Sequence, residues 1–242
     1  TTVRSAGRLG ARLTSSSSLT LEAGAIFDTA QSTVGSIAGA GTVNANGGGL
    51  LTTGGSNAST TFSGTLGGAG GVAKAGTGTW TLSGSIQTTD LRVLGGTLRI
   101  GDGTSGTLVN IPSVAIAGTF ELDTPSGGNL ADTSGAGALV VTRGQLVSNG
   151  GDFAHAGATT VRGAGRLAAR LTSSSSLTVD AGGIFDTAQS TVGSISGAGT
   201  VNANGPGLLT TGGSNASTTF SGTLGGAGDV AKVGSGTFTL SG

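Results

Sequence analysis

Residues 55–84 read GSNASTTFSGTLGGAGGVAKAGTGTWTLSG, and residues 213–242 read GSNASTTFSGTLGGAGDVAKVGSGTFTLSG. The recurrence extends beyond these stretches, because Thr1–Gly84 and Thr159–Gly242 differ at only 11 of 84 aligned positions. The chain is therefore one complete period, residues 1–158, followed by the opening of a second, residues 159–242, with residues 85–158 intervening between the two copies. A closed globular domain interrupted at such a point would lose half its core. A solenoid adds turns one after another and tolerates interruption between any two. Residues 1–242 thus read as one continuous solenoid segment that begins inside a repeat, an excerpt of something longer.

The finer pattern is that of strands. Short alternating apolar segments recur throughout, among them LTLEAGAIFD, WTLSG, LRVLGGTLRI and SVAIAGTFELD. In LRVLGGTLRI, Leu91, Val93, Leu98 and Ile100 alternate with polar or charged neighbours, and Gly95-Gly96 marks a bend between two strands. Helices are nearly excluded: no long apolar stripe of helical period appears, and each interior helical Gly costs about 1 kcal/mol. Gly accounts for 51 residues, which suits a tube whose corners need positive φ or close backbone approach. The expected fold is all-β, a right-handed single-stranded parallel β-helix of about 20 residues per turn, and with strands about 4.8 Å apart it would form a rod roughly 55 to 60 Å long. The rival folds, an up-and-down barrel or a sandwich, favour two-residue hairpins. Here Asn-Gly occurs only at Asn46, Asn149 and Asn204.

Composition bounds the function. Eleven basic and eleven acidic residues cancel, so no global field gathers nucleic acid or an anionic membrane. No apolar run approaches the roughly 18 residues that span a bilayer. The lack of Cys removes disulfides and thiolate metal sites, and fits an exported protein. Gly clusters such as GAGTVNANG are not followed by GK[ST], and no nucleotide or other cofactor is expected.

The repeated stretch resembles the autotransporter-associated β-strand repeat, whose form is an Asn start, a Phe or Tyr, SG, a glycine cluster and a K-G-G-T-L-T-L-x-G-like ending. The match is carried by Asn57, Phe62, Ser63, Gly64, Lys74, Gly76, Gly78, Thr79, Trp80, Thr81, Leu82 and Gly84, and by their equivalents from Asn215 to Gly242. These two stretches are the part of the chain that the resemblance covers. It implies the passenger of a Gram-negative type V secreted protein, lying outside the cell and joined to the outer membrane through a C-terminal barrel that these residues do not include.

Within the motif, Phe62, Trp80 and Leu82, with Phe220, Phe238 and Leu240, are expected to stack as a core ladder. Trp80 has a second reading, as a sugar-stacking platform, but Phe238 replaces it with the same apolar bulk. Lys74 is expected at a solvated corner. Asn57-Ala-Ser and Asn215-Ala-Ser fit a glycosylation pattern and read as structural.

Chemistry-bearing residues are sparse. Only Glu121 and Asp123 sit at i, i+2, a pair that suits glycoside hydrolysis or Ca²⁺ but reads more simply as a solvated strand end. His155, the sole histidine, has Asp152 nearby but no serine nucleophile or second histidine, and is expected on the surface. GGAGDV at Gly225–Val230 fails the calcium nonapeptide, because Asp229 is one place early and Gly71 stands at its equivalent position. Arg4, Arg8 and Arg12, repeated as Arg162, Arg166 and Arg170, would share a face if one strand ran unbroken. They are candidates for an anionic polysaccharide or for pairing with acids on adjacent turns. The LTSSSSLT runs are hydroxyl-lined turns or O-glycosylation acceptors. The leading expectation is a non-enzymatic surface adhesin segment that binds itself, laterally or end to end, or a host polysaccharide or protein. A passive stalk and a polysaccharide-acting enzyme are the alternatives.

Overall fold

The computed structural model describes residues 1–242, the side chain of Asn110 excepted. The chain folds into strands of 2 to 11 residues joined by turns and bends, without a helix among the described residues, and every pairing between these strands is parallel. Thr2 pairs with Thr20, Thr20 with Ala38, and the same ladder continues to Thr219 with Thr239. It makes a β-solenoid of about 13 turns, with paired strands about 19 residues apart. At about 4.8 Å per turn the rod is roughly 60 Å long. Thr2 and Thr160 are eight turns apart along this ladder, so the repeat period contains whole turns and equivalent residues return to the same side of the rod.

Each turn contributes to three ladders. In one turn these are Leu19–Leu21, Ile26–Thr29 and Ser32–Val34; in the next they are Ile37–Gly39, Thr42–Ala45 and Leu50–Thr53. The step between paired residues varies, being shorter from Leu19 to Ile37 than from Gly39 to Phe62. The extra length here goes into a corner, whereas between Thr107 and Ala168 the register also shifts within strands, at Leu108/Ile111, Leu122/Asp123 and Val141/Arg143. The long corner in this case holds Asn57 at φ 62°, and Asn215 repeats it at φ 60°. Asn is the residue other than Gly that best tolerates this conformation. Its Oδ1 then accepts the N–H of Thr77, 2.9 Å away on the next turn, as Asn215 Oδ1 does from Ser235. The motif's opening Asn is thus a corner residue that ties two turns together.

The interior is built from the alternating residues of the strands. Two rows run side by side up the first ladder: Trp80, Leu98, Phe120 and Leu139 in one, and Phe62, Leu82, Ile100 and Leu122 in the other, all buried. Aromatic rings therefore lie mainly on aliphatic side chains, and Trp80 satisfies its indole by donating from Nε1 to the carbonyl of Ile37 at 3.2 Å. Full burial of such a ring contributes about 2–3 kcal/mol. Phe220 is equally buried and Leu240 stands in register on it, but the last members of the row are less covered: Phe238 is half-buried against the core and Leu240 is 56% exposed. Both belong to the last turn, against which no later turn of these residues packs.

Close stacking explains the recurrent SG. Gly41, Gly64 and Gly84 stand one above another at the corner after the first ladder. A Cβ on Gly84 would overlap the carbonyl of Gly64, and one on Gly64 would overlap that of Gly41.

Candidate functional site

The first ladder presents a flat outer surface carrying two rows of small hydroxyl side chains. Where Leu19 and Leu21 point inward, Ser18 and Thr20 face out. The next turn interrupts both rows, with Ala38 above Thr20 and Ser36 buried, and Ser59 with Thr61, and Thr79 with Thr81, resume them. The second copy repeats them as Ser176 with Thr178, then Ser196, then Ser217 with Thr219. Neighbouring hydroxyls are spaced about 4.8 Å up the ladder and about 6.7 Å along a strand, since every second residue faces the same way. The rows are uncharged over several turns in each copy.

Between the two hydroxylated stretches lies a cluster of charges. Arg99 and Glu121 occupy successive turns in place of Thr, and Asp123 follows two residues after Glu121. Arg99 bridges both acids: Nη2 contacts Asp123, and Nε lies 3.8 Å from Glu121 Oε2. Arg143 Nε is 3.8 Å from Asp123 Oδ1 and its Nη1 donates to the carbonyl of Gly103. Arg162 Nη1 is 3.6 Å from Glu121 Oε1, which also accepts a 2.7 Å hydrogen bond from Thr142. Asp123 is buried and Glu121 half-buried, so the expectation of a solvated strand end is corrected. A carboxylate taken out of water must be paired, and three guanidiniums supply the pairing, Arg99 and Arg143 from the adjoining turns and Arg162 from two turns away. Both acids are engaged by arginine. Among the described residues there is also no group of three or more His, Cys, Asp or Glu that could hold a metal.

The repeated arginines do not line one face. Arg162, Gly163 and Ala164 are exposed in succession, a break in alternation that sends the flanking residues to different ladders. Arg162 reaches Glu121 on the first ladder, Arg166 Nε donates to Asp186 Oδ2 on the second at 2.6 Å, and Arg170 lies 3.4 Å from Asp152 at the next corner. In the first copy Arg8 pairs with Asp28 at 2.6 Å, and Asn44 also donates to that carboxylate at 2.9 Å. These bonds hold Asp28 below the usual carboxylate range, the Asn44 contact contributing most. Arg4 and Arg12 are exposed on the first turn.

Lys74 is fully buried, which corrects its expected place at a solvated corner. Its ammonium donates to the carbonyls of Ala75 at 2.6 Å, Gly76 at 3.2 Å and Gly95 at 3.3 Å, using all three protons without a carboxylate. Burial pushes its pKa down. His155 is likewise fully buried and not on the surface. Desolvation lowers it to about 4. A signal for both lay in the two-residue period: Lys74 follows buried Val72 by two places, and His155 follows buried Phe153 by two. Their charge and polarity masked it.

The serine runs form a pair of equivalent shallow grooves. Ser15–Ser17 with Thr33, Gly35 and Ser56 line one, and Ser173–Ser175 with Thr191, Gly193 and Ser214 line the other. Ser173 and Ser175 are exposed, whereas Ser174 is buried and bonds inward. Asp229 is exposed on its strand. No family model matches this chain, and no curated protein or solved structure is significantly similar to it.

Proposed function

We propose that the chain is a non-enzymatic segment of an extracellular, autotransporter-like passenger from a Gram-negative cell surface, acting as a rod that attaches cells to one another or to a surface. The observation that carries this reading is the pair of hydroxyl rows on the first ladder, repeated after eight turns on the same side of the rod. One hydroxyl contact contributes little, but a periodic array engages a repeating partner many times and gains by avidity. Uncharged hydroxyls, each donor and acceptor, suit a second identical face or a polysaccharide. The membrane link in this reading runs through a barrel outside these residues.

A passive stalk is the second reading, and the ion pairs favour it: Arg8, Arg162, Arg166 and Arg170 are engaged by acids one or two turns away, contacts that serve the rod itself. The two are separated by displaying residues 1–242 on cells through a neutral outer-membrane anchor and measuring settling against anchor-only cells at equal surface density. Displaying cells that clump with each other support adhesion through the rod. Lysine at Thr20, Thr61, Thr178 and Thr219 then abolishes clumping while leaving the fold intact by circular dichroism. Settling no faster than the control removes self-association and leaves the stalk or attachment to a host surface, which binding of the same cells to immobilised polysaccharide then separates.

A further inference from the structure

The core of the rod is apolar along most of its length, but at the joint between the intervening residues and the second copy it holds a continuous polar relay. Thr133 Oγ1 lies 3.0 Å from His155 Nδ1, His155 Nε2 lies 2.9 Å from Thr159 Oγ1, and Thr159 Oγ1 lies 2.9 Å from Ser174 Oγ. All four side chains are buried. The relay crosses three successive turns, from the one beginning at Thr119 to the one beginning at Ala158. Beside it, Phe153 bridges Thr133 on one side and Leu171 on the other.

The partners fix the direction of every proton. Ser174 Oγ is 3.0 Å from the carbonyls of Gly157 and Ser176, which can only accept, so its hydrogen goes to one of them. Thr159 then donates to Ser174, and its oxygen accepts from His155 Nε2–H. Nδ1 is left without a proton and accepts from Thr133. The neutral imidazole is the form that satisfies this chain. A second ring proton at Nδ1 would force the Thr133 hydroxyl to turn from donor to acceptor, so that its hydrogen loses the ring nitrogen that takes it now, and would place a full charge in the core.

Among the described residues no carboxylate bonds the ring to compensate that charge. The ionisable groups on the adjoining elements are Asp132, Arg143, Asp152, Arg162, Arg166 and Arg170, all on the outer surface. Asp132 and Asp152 are occupied there, the first accepting the Asp152 N–H and the second facing Arg170. Both of the ring's bonds go to hydroxyls.

We propose that His155 and its line of hydroxyls form an acid-operated joint: the relay locks three turns together while the imidazole is neutral and lets them part when it takes a proton. Because each turn of a solenoid contacts only its neighbours, opening there leaves the turns on either side folded and divides one stiff rod into two pieces joined by a loosened segment.

His155 is the only histidine, so its ring resonances in the intact chain report its titration without assignment. The expected midpoint lies far below 6.5, near 4. Amide exchange, corrected for the intrinsic effect of pH, is expected to show opening between residues 128 and 176 at least tenfold more frequent at pH 4 than at pH 7.5, with Leu19–Ala45 unchanged. His155→Gln, which keeps one donor and one acceptor but takes no proton, is expected to remove that acid response. A midpoint near 6.5, opening spread evenly along the rod, or an undiminished response in the variant each overturns the joint. Should the variant not fold, the wild-type titration and exchange map decide the matter alone.

Discussion

Lys74 and Lys232 are the same motif residue in two settings. Lys74 is buried beneath a following turn and donates to three carbonyls, whereas Lys232 is exposed and donates to two, Val233 and Gly234. The third acceptor, Gly95, comes from the turn above, which Lys232 lacks. Replacing Lys74 by Met takes the charged donor from three part-buried carbonyls, and unmade hydrogen bonds to a charged donor cost about 1–3 kcal/mol. Lys74→Met is therefore expected to lower the free energy of unfolding in urea by that order, and Lys232→Met to leave it nearly unchanged. Equal effects would mean that the carbonyl cage contributes nothing. The motif carries the lysine, and its two-residue spacing from buried Val72 is the local signal for an inward side chain, but a single residue does not show that a bend in the backbone will gather carbonyls around an ammonium.

At the scale of strands and corners the sequence was far more legible. The two-residue alternation of Leu91, Val93, Leu98 and Ile100 translated directly into buried rows, since each side of a strand has one environment for its whole length. Corners were marked by Gly, and where turns approach most closely the choice is forced. Gly84→Ala must push the added methyl into the carbonyl of Gly64, so a loss of several kcal/mol is expected, and wild-type-like thermal unfolding would contradict the corner geometry. Less legible were pairings between elements distant in sequence, such as Arg99 with Asp123 or Arg162 with Glu121. They depend on turn lengths that change from one corner to the next and that no local pattern announces. Arg99→Met leaves Asp123 buried with only the 3.8 Å contact to Arg143, and removing one partner of such a pair costs about 3–5 kcal/mol. Stability restored by adding Asp123→Asn would confirm that the cost is the orphaned charge; no restoration would assign it to lost packing.

For the whole molecule, acid sensitivity follows from proton counting. Unfolded His155 binds a proton near pH 6.5, but in the folded rod it does so only near 4. The folded state is thus penalised progressively as pH falls through that window, by about 3 kcal/mol in all, and this contribution is flat below it. Urea unfolding from pH 7.5 to 4 is expected to carry this component in wild type and to lack it in His155→Gln; superimposable profiles would refute it. The recurrence at Thr159 of the sequence begun at Thr1 disclosed the solenoid, because only a fold that grows by stacking accommodates such an offset, while the hydroxyl rows became visible once turns were in register.

The equivalence of the repeat period with a whole number of turns also makes reach a countable property. A duplication of this unit lengthens the rod by eight strand spacings, about 38 Å, without rotating the hydroxyl rows away from their earlier copies. An insertion that is not a whole number of turns must be absorbed by a corner or else twist every later side chain out of line. Such a molecule behaves as a ruler whose graduations are set by copy number, and gene copies gained or lost between lineages would change how far from its base the same surface is presented.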